Sequence, residues 1–250
     1  MLAAERISSI DSTQRECVRR LAHACEPFAV WTTEQTQGMA SHGRRWHDSP
    51  DGLALSVAWP AGINEPMDRA CWPSRIGLLV HGVLSARFPS RAHEFGLKWP
   101  NDLMGRGRKL GGVLVSRHRV GGTDWWVAGL GINLGWSSAV PELDRPVTDL
   151  ASLGCSIEAP ELAGLVIQTF DEVVIHQRDH LIHRSLWVEE FLRHDVLVNQ
   201  SVNIVHPHSG SLLQQGVYRG MNLDGALLLE TSSGLTPVRI GDASLRPTQG

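Results

Sequence analysis

Little in this sequence is extreme, and what it lacks narrows the field. Cysteine is scarce. Cys17, Cys25, Cys71 and Cys155 lie far apart, with no Cys-x-x-Cys pair. They offer no disulfide framework and fit the ordinary reduced thiols of a cytosolic protein. No sign of charge dominates: 23 basic residues stand against 26 acidic ones, for a net charge of −3. That balance gives no nucleic-acid-binding surface. Apolar runs are short and interrupted, so no membrane span is expected. The opening Met1-Leu2-Ala3-Ala4-Glu5-Arg6 lacks the apolar region of a signal peptide. There is no internal repeat, no low-complexity tract, no P-loop and no evident covalent nucleophile. What is present is a chain of 250 residues with 42% hydrophobic content. That suffices for one sizeable core and a small second domain.

The most informative stretch is Gly96-Leu97-Lys98-Trp99-Pro100-Asn101-Asp102-Leu103, followed by Arg108-Lys109-Leu110-Gly111-Gly112-Val113-Leu114-Val115. Two lysines with one acid between them suit the handling of an anion and its metal ion. Lysine is a compact point charge that neutralises a phosphate. Asp102 has the chemistry to hold Mg2+, which binds through one or two carboxylates plus substrate phosphates. Pro100 fixes its own backbone angle and biases Trp99 towards an extended conformation. The stretch therefore reads as a rigid turn in a β-hairpin, with Gly105 to Arg108 as a solvated tip and Leu110 to Val115 as the returning strand. By itself the spacing makes only a partial case for a nucleotide site.

Elsewhere the pattern alternates between helices and strands. Thr13 and Glu16 have capping-box spacing at the start of a first helix. Phe28 to Thr33 reads as a strand. It runs into a long polar segment, Glu34 to Trp46, before the next strand, Leu53 to Trp59. Connections of this length are often functional, although a surface loop is the plainer reading. A helix is expected from Arg69 to Phe88, with Ile76, Leu78, Leu79, Val83 and Leu84 towards a core. A strand is expected from Thr123 to Leu134. It ends Gly129-Leu130-Gly131-Ile132-Asn133, whose glycines suit close packing. No helix follows and the third glycine is misplaced, so this is not a dinucleotide fingerprint. A second long helix is expected from Pro160 to Phe191. On it His176, His180 and His183 have a spacing that metals use, but a solvated face explains them better. After His194 come short strands, Val202 to His206, Leu212 to Tyr218, Ala226 to Glu230 and Pro237 to Ile240. Asp224-Gly225 is a good hairpin turn between two of them.

Lys98-Trp99-Pro100-Asn101-Asp102-Leu103 with Lys109-Leu110-Gly111-Gly112-Val113-Leu114 resembles the paired motifs of the biotin protein ligases. The resemblance extends over nearly the whole chain. Ser12-Thr13 resembles the start of that family's Ser-Thr-Asn motif, with Gln14 where asparagine is usual. Gln35, Gly38, Gly43, Arg44, Trp46, Ser49, Pro50 and Gly52 match its biotin-binding loop. Met39 and Ser41 stand where the family has arginine, and Ala40 where it has glycine. These departures leave open how firmly the loop holds an adenylate. Tyr218 to Leu229 resembles the family's C-terminal SH3-like barrel.

The resemblance implies an α+β fold. Residues 1–195 would form a catalytic domain, a mixed β-sheet flanked by helices, and residues 196–250 a small SH3-like β-barrel. It implies an enzyme that activates biotin with ATP and Mg2+ to biotinyl-5'-AMP, then transfers biotin to a lysine of a biotin carboxyl carrier domain. Lys109 would bridge the biotin carboxylate and the α-phosphate, Lys98 would support the phosphates, and Asp102 and Asn101 would orient Mg2+. Asn133 would face the adenine and Trp46 would cover the adenylate, with Arg44 beside it. Ser12, Thr13, Gln35 and the Gly38 backbone would pair with the ureido ring, and Gly111 and Gly112 would line the pocket. A homodimer is compatible with the resemblance. Some relatives carry an N-terminal helix-turn-helix domain. Only Met1 to Asp11 precede Ser12 here, so operator DNA binding is not expected. Three other readings stay open: a lipoate or octanoate ligase, a biotin-binding module that has lost ligation, and a structural adaptor.

Overall fold

The computed structural model describes every residue except 1, 47, 48, 50, 51, 63–70, 137–145, 177–185, 207, 240–243, 249 and 250. Arg69, Pro50, His180, His183 and Ile240, which figured in the expectations above, lie outside the described residues. In chain order the elements are β1 (Ala3–Arg6), α1 (Thr13–Arg20), β2 (Phe28–Thr32), β3 (Leu53–Pro60), α2 (Cys71–Arg87), β4 (Phe95–Lys98), β5 (Asp102–Gly105), β6 (Arg108–Val120) and β7 (Thr123–Ile132). Then come α3 (Ala159–Phe170), α4 (Leu186–His194), β8 (Ser201–Val205), β9 (Leu212–Met221), β10 (Leu227–Thr231), β11 (Gly234–Val238) and β12 (Ser244–Pro247).

Two sheets result. The first is mixed, in the order β1-β2-β3-β7-β6-β5-β4; the second is antiparallel, in the order β11-β10-β9-β8-β12. Only β1 against β2 runs parallel in the first sheet. This is the α+β arrangement expected, a mixed sheet flanked by helices with a small β unit after it.

Alternation along the strands assigns the two faces of the large sheet. Leu55, Val57 and Trp59 of β3 and Trp126, Ala128 and Leu130 of β7 join the main core beneath α2 and α3. Their neighbours Ala58, Trp125 and Val127 point the other way and pack with Cys17 and Leu21 of α1. Continuing β7 by the same period puts Gly129 and Gly131 on the α1 face. Two missing side chains there open a hollow in an otherwise filled layer. The helical side is rich in aromatics. Trp59 meets Trp72 and Phe170 edge-on, with centroids 5.3 and 5.1 Å apart. Such pairs contribute about 0.5–1.5 kcal/mol each beyond their area burial.

Several expectations needed correction. The cap of α1 is Ser12, whose hydroxyl accepts from the Arg15 amide, and not Thr13. The stretch from Pro160 is not one α-helix to Phe191. Its hydrogen bonding widens to a π turn at Asp171–Ile175, and α4 is a separate helix. His176 is exposed and lies 3.5 Å from the Asp171 carboxylate. The central hairpin is double. β4 turns into β5 through Trp99-Pro100-Asn101, and β5 into β6 through Arg106-Gly107, both at positive φ. Strands β1 and β12 had no apolar alternation to announce them.

The two sheets are tied at the central turn. Trp99 Nε1 donates to the Gly225 carbonyl at 2.9 Å. The Val196 amide donates to the Leu97 carbonyl. Tyr218 Oη donates to the Asp195 carboxylate at 2.8 Å. Burial pushes the Asp195 carboxyl up to about 6 from 3.8, against the bonds from the Leu197 amide and Tyr218 that favour its charge. A raised folded-state value means this carboxyl stabilises the fold fully below about pH 4, and that contribution is lost as pH rises through about 6. The difference amounts to roughly 3 kcal/mol. Buried His81, held down at about 4, acts with the opposite sign over the same range. The component is therefore read as the difference between the native and Asp195→Asn denaturation midpoints, which should fall from pH 4 to 8. In Asp195→Asn the component should be missing, and parallel curves would refute the assignment.

Candidate functional site

The hollow on the α1 face is a cavity of about 570 Å³, within the range typical of small-molecule sites. Its floor comes from β3, β6 and β7, its polar end from the start of α1, and its other end from the β4–β5 turn. The segment after β2 closes over it as a small hairpin. Met39 pairs with Arg45, the Ala40 amide donates to the Arg44 carbonyl, and the Trp46 amide donates to the Gly38 carbonyl. The Trp46 ring is thereby laid on Gly131. A Cβ on that glycine would stand 2.4 Å from the ring.

At one end the charged residues converge. Asp102 is buried and forms ion pairs with Lys109 and, at 3.8 Å, with Lys98. Two largely buried cations converge on the Asp102 carboxylate, and Lys98 also acts electrostatically on the Asp195 carboxylate. Lys109 is fixed through its backbone: its amide donates to the Pro146 carbonyl, and its carbonyl accepts from Thr148. Its ammonium lies 5.6 Å from the centroid of the Trp46 ring. The turn itself is held from behind, where Ser74 Oγ donates to the Pro100 carbonyl at 2.8 Å.

Asn101 spends both protons of its amide nitrogen, on Val113 O at 2.8 Å and Ser41 Oγ at 3.0 Å. Its Oδ1 is left as the atom with acceptor capacity, and Asn101 lines the same cavity as Asp102. An amide oxygen and a carboxylate are the donors that Mg2+ prefers, so the residues present fit that ion. The bond to Ser41 also docks the closing loop on the turn.

At the opposite end Gln35 Oε1 accepts from the Thr13 amide at 3.0 Å and from its hydroxyl at 3.3 Å. Ser56 Oγ donates to Thr13 Oγ1 at 2.9 Å. Between the two ends Leu114, paired with Gly129, faces the cavity, and Val113, Val115 and Leu130 border it while belonging to the face that packs on the main core.

Of the residues singled out in the sequence, Ser12, Thr13, Gln35, Arg44, Trp46, Lys98, Asn101, Asp102, Lys109, Gly112 and Asn133 line this one cavity. Gly38 and Gly111 stand behind its wall. A side chain on Gly38 would meet the Trp46 carbonyl, and one on Gly111 the Gly131 carbonyl. Asn133 is buried, and its amide donates to the Thr148 carbonyl at 3.0 Å, holding the segment that clamps Lys109. Ser56, Trp136 and Leu245 also line the cavity and went unnoticed in the sequence. Ser56 had left a trace, as the lone hydroxyl in the apolar run of β3. Leu245 belongs to the second sheet and left none.

The cavity has an apolar middle, a neutral polar end around Thr13 and Gln35, and a charged end where Lys98, Asp102 and Lys109 meet. The model of the biotin/lipoate A/B protein ligase family matches residues 6–133, and the chain belongs to that family. It is 28% identical to the bifunctional ligase/repressor BirA of Escherichia coli, over 96% of this chain and 73% of that protein. It is 24% identical to the biotin–[acetyl-CoA-carboxylase] ligase of Mycobacterium tuberculosis, over 94% of this chain and 86% of that protein. In fold it is similar to the biotin protein ligase of Aquifex aeolicus solved with biotin and ATP. That likeness has a TM-score of 0.80 at 22% identity and covers 99% of this chain and 100% of the other.

Proposed function

We propose that this protein is an ATP-dependent biotin–protein ligase. It activates biotin to biotinyl-5'-AMP and passes the biotinyl group to a lysine of a biotin carboxyl carrier domain. The observation that carries this reading is Asp102 held between Lys98 and Lys109 at the anionic end of a cavity whose other end is neutral and polar.

A carboxylate is a poor acylating agent. Attack of the biotin carboxylate oxygen on the α-phosphorus forms a mixed anhydride and expels pyrophosphate. The carrier amine then attacks the acyl carbon and releases AMP. The protein contributes position and charge neutralisation to both steps. Lys109 contacts the carboxylate and α-phosphate oxygens, Lys98 the departing phosphates, and Arg44 and Trp46 enclose the adenylate. Asn133 lies near the adenine. Mg2+ held by Asp102 and Asn101 would supply further charge neutralisation. Ser12, Thr13 and Gln35 receive the ureido ring, with the Gly38 backbone and the Gly111-Gly112 strand supporting that pocket. In this reading residues 1–195 form the catalytic domain and residues 196–250 the SH3-like one. The carrier domain is the macromolecular partner, the compartment is the cytoplasm, and neither nucleic acid nor membrane is involved. A homodimer is compatible with it. Among the described residues no helix is long and apolar enough to cross a membrane.

Purified protein with ATP and Mg2+ should release pyrophosphate and form the acyl-adenylate with biotin, and markedly less with lipoate or octanoate. Pyrophosphate release with none of the three acids would end the enzymatic reading. Release with lipoate or octanoate but not biotin would move the protein to another branch of its family.

A further inference from the structure

Asp195 follows α4 directly and does not line the cavity. Its backbone pairs with Leu97 of β4, where the Val196 amide donates to the Leu97 carbonyl at 2.8 Å. That register brings its side chain to the first peptides of the β4–β5 turn. It is buried, at 8% exposure. Three donors converge on the one carboxylate: the Leu197 amide at 3.0 Å, Tyr218 Oη at 2.8 Å and the Trp99 amide. An ionised carboxylate only accepts, whereas a neutral amide in its place has a nitrogen that cannot. The donors therefore select the ionised acid. Burial works against that charge and pushes the carboxyl up to about 6, which still leaves it mostly ionised at neutral pH.

The nearby cation is Lys98, whose charge favours the ionised form of Asp195. Lys98 is thus drawn by two carboxylates. Asp102, 3.8 Å away, lines the cavity with it and is already engaged by Lys109. A lysine is a point charge on a flexible four-carbon stem, and it goes where the local field directs it. With Asp102 alone to draw it, Lys98 would crowd towards Lys109 on the same group. A second anion opposes that crowding and keeps the two ammonium groups apart. The same anion holds the Trp99 amide, and so fixes the backbone from which Lys98 projects. A tie between the two sheets needs only neutral bonds, of which Trp99 to Gly225 is one. A buried anion is the costlier choice, and its effect on Lys98 sets it apart from such a tie.

We propose that Asp195 is a positioning residue for adenylation, which acts through Lys98 by holding its ammonium and the adjoining Trp99 peptide at the charged end of the cavity. This rests on the biotin-ligase reading above. Asp195 touches no substrate; it affects the departing phosphates only through where Lys98 stands. Misplacing a group by about 1 Å from its working position can cost roughly 100-fold in rate, even when the change is made away from the chemistry. The neutral end around Thr13 and Gln35 is not involved, so biotin binding is separable from the effect.

The test uses the full chain with biotin, ATP and Mg2+, at a temperature well below every denaturation midpoint. Single-turnover formation of biotinyl-AMP is measured for the native chain, Asp195→Asn, Lys98→Ala and the double variant, with biotin affinity in parallel. Asp195→Asn should slow adenylation about ten-fold and leave biotin affinity within about two-fold of native. In the Lys98→Ala background the same substitution should slow it by less than about two-fold, because residues that act as one unit are not additive. A ten-fold loss of about equal size in both backgrounds would show a merely structural residue and overturn the proposal. Native-like adenylation in Asp195→Asn would overturn it too. If Asp195→Asn does not fold, Tyr218→Phe replaces it, since the carboxylate then stays and loses one of its bonds. That variant should slow the native chain about three-fold and the Lys98→Ala chain not at all. Equal slowing in both chains, or none in either, overturns the proposal. A native chain that forms no biotinyl-AMP would sink the ligase reading itself, a distinct result.

Discussion

Lys109→Ala should still bind biotin detectably but form adenylate about 100- to 1,000-fold more slowly, the usual cost of removing one preorganised charge contact from a transition state. Lys109 stands against Asp102 with its backbone clamped on both sides by Pro146 and Thr148. Its ammonium needs little reorganisation when charge builds up on the carboxylate and α-phosphate oxygens. In the proposed reading the ureido ring of biotin is held at the other end of the cavity, around Thr13 and Gln35, so its affinity should change less than the rate. Single-turnover formation of biotinyl-AMP separates the two effects. Lys109→Arg should restore little, since a planar fork does not reproduce a point charge in a packed site. Near-native turnover in Lys109→Ala would remove this lysine from the chemistry.

The second large effect concerns retention of the adenylate. Met39 and Ser41 replace the two arginines that the resemblance leads one to expect, and Met39 offers no donor. Ser41 has found a different use, accepting from Asn101 Nδ2 at 3.0 Å and so docking the loop onto the β4–β5 turn. That neutral bond is weaker than a contact to a charged group, which contributes roughly 1.5–3 kcal/mol. The native loop should therefore release biotinyl-AMP about 10- to 100-fold faster than one carrying Ser41→Arg with Met39→Arg and Ala40→Gly. It should also label bystander lysines more. The check is the dissociation rate of preformed biotinyl-AMP, with bystander labelling in parallel. Equal release from both loops would mean that the bond from Asn101 to Ser41, with Arg44 nearby, already compensates.

Both expectations show where sequence and structure part company. The Lys98-to-Asp102 turn and Lys109 were legible because their chemistry is local. Pro100 constrains its neighbours, and charged residues close together in an apolar hairpin demand a reason. The strands of the large sheet were legible where one face is buried, because alternation follows from the pleat. Strand β1 was not, since all four of its residues are exposed and carry no period. The helix from Pro160 was overextended because an apolar rhythm continues past Phe170 while the hydrogen bonding changes.

The site divides in the same way. By itself the sequence determined which residues supply charge and which turn presents them, while the nearness of the polar loop was implied only by the family resemblance. Only the tertiary structure decided that Asp102 is shared by two lysines, that Ser41 bonds to Asn101, and that Trp99 reaches Gly225. It also decided that Gly129 and Gly131 fall on the α1 face, leaving the hollow that Gln14 and Trp46 enter. The physical reason is register. A side chain's own chemistry is fixed by its identity, but its partner across a sheet depends on how strands far apart in sequence align. A shift of one residue would send Gly129, Gly131 and Ser56 to the opposite face.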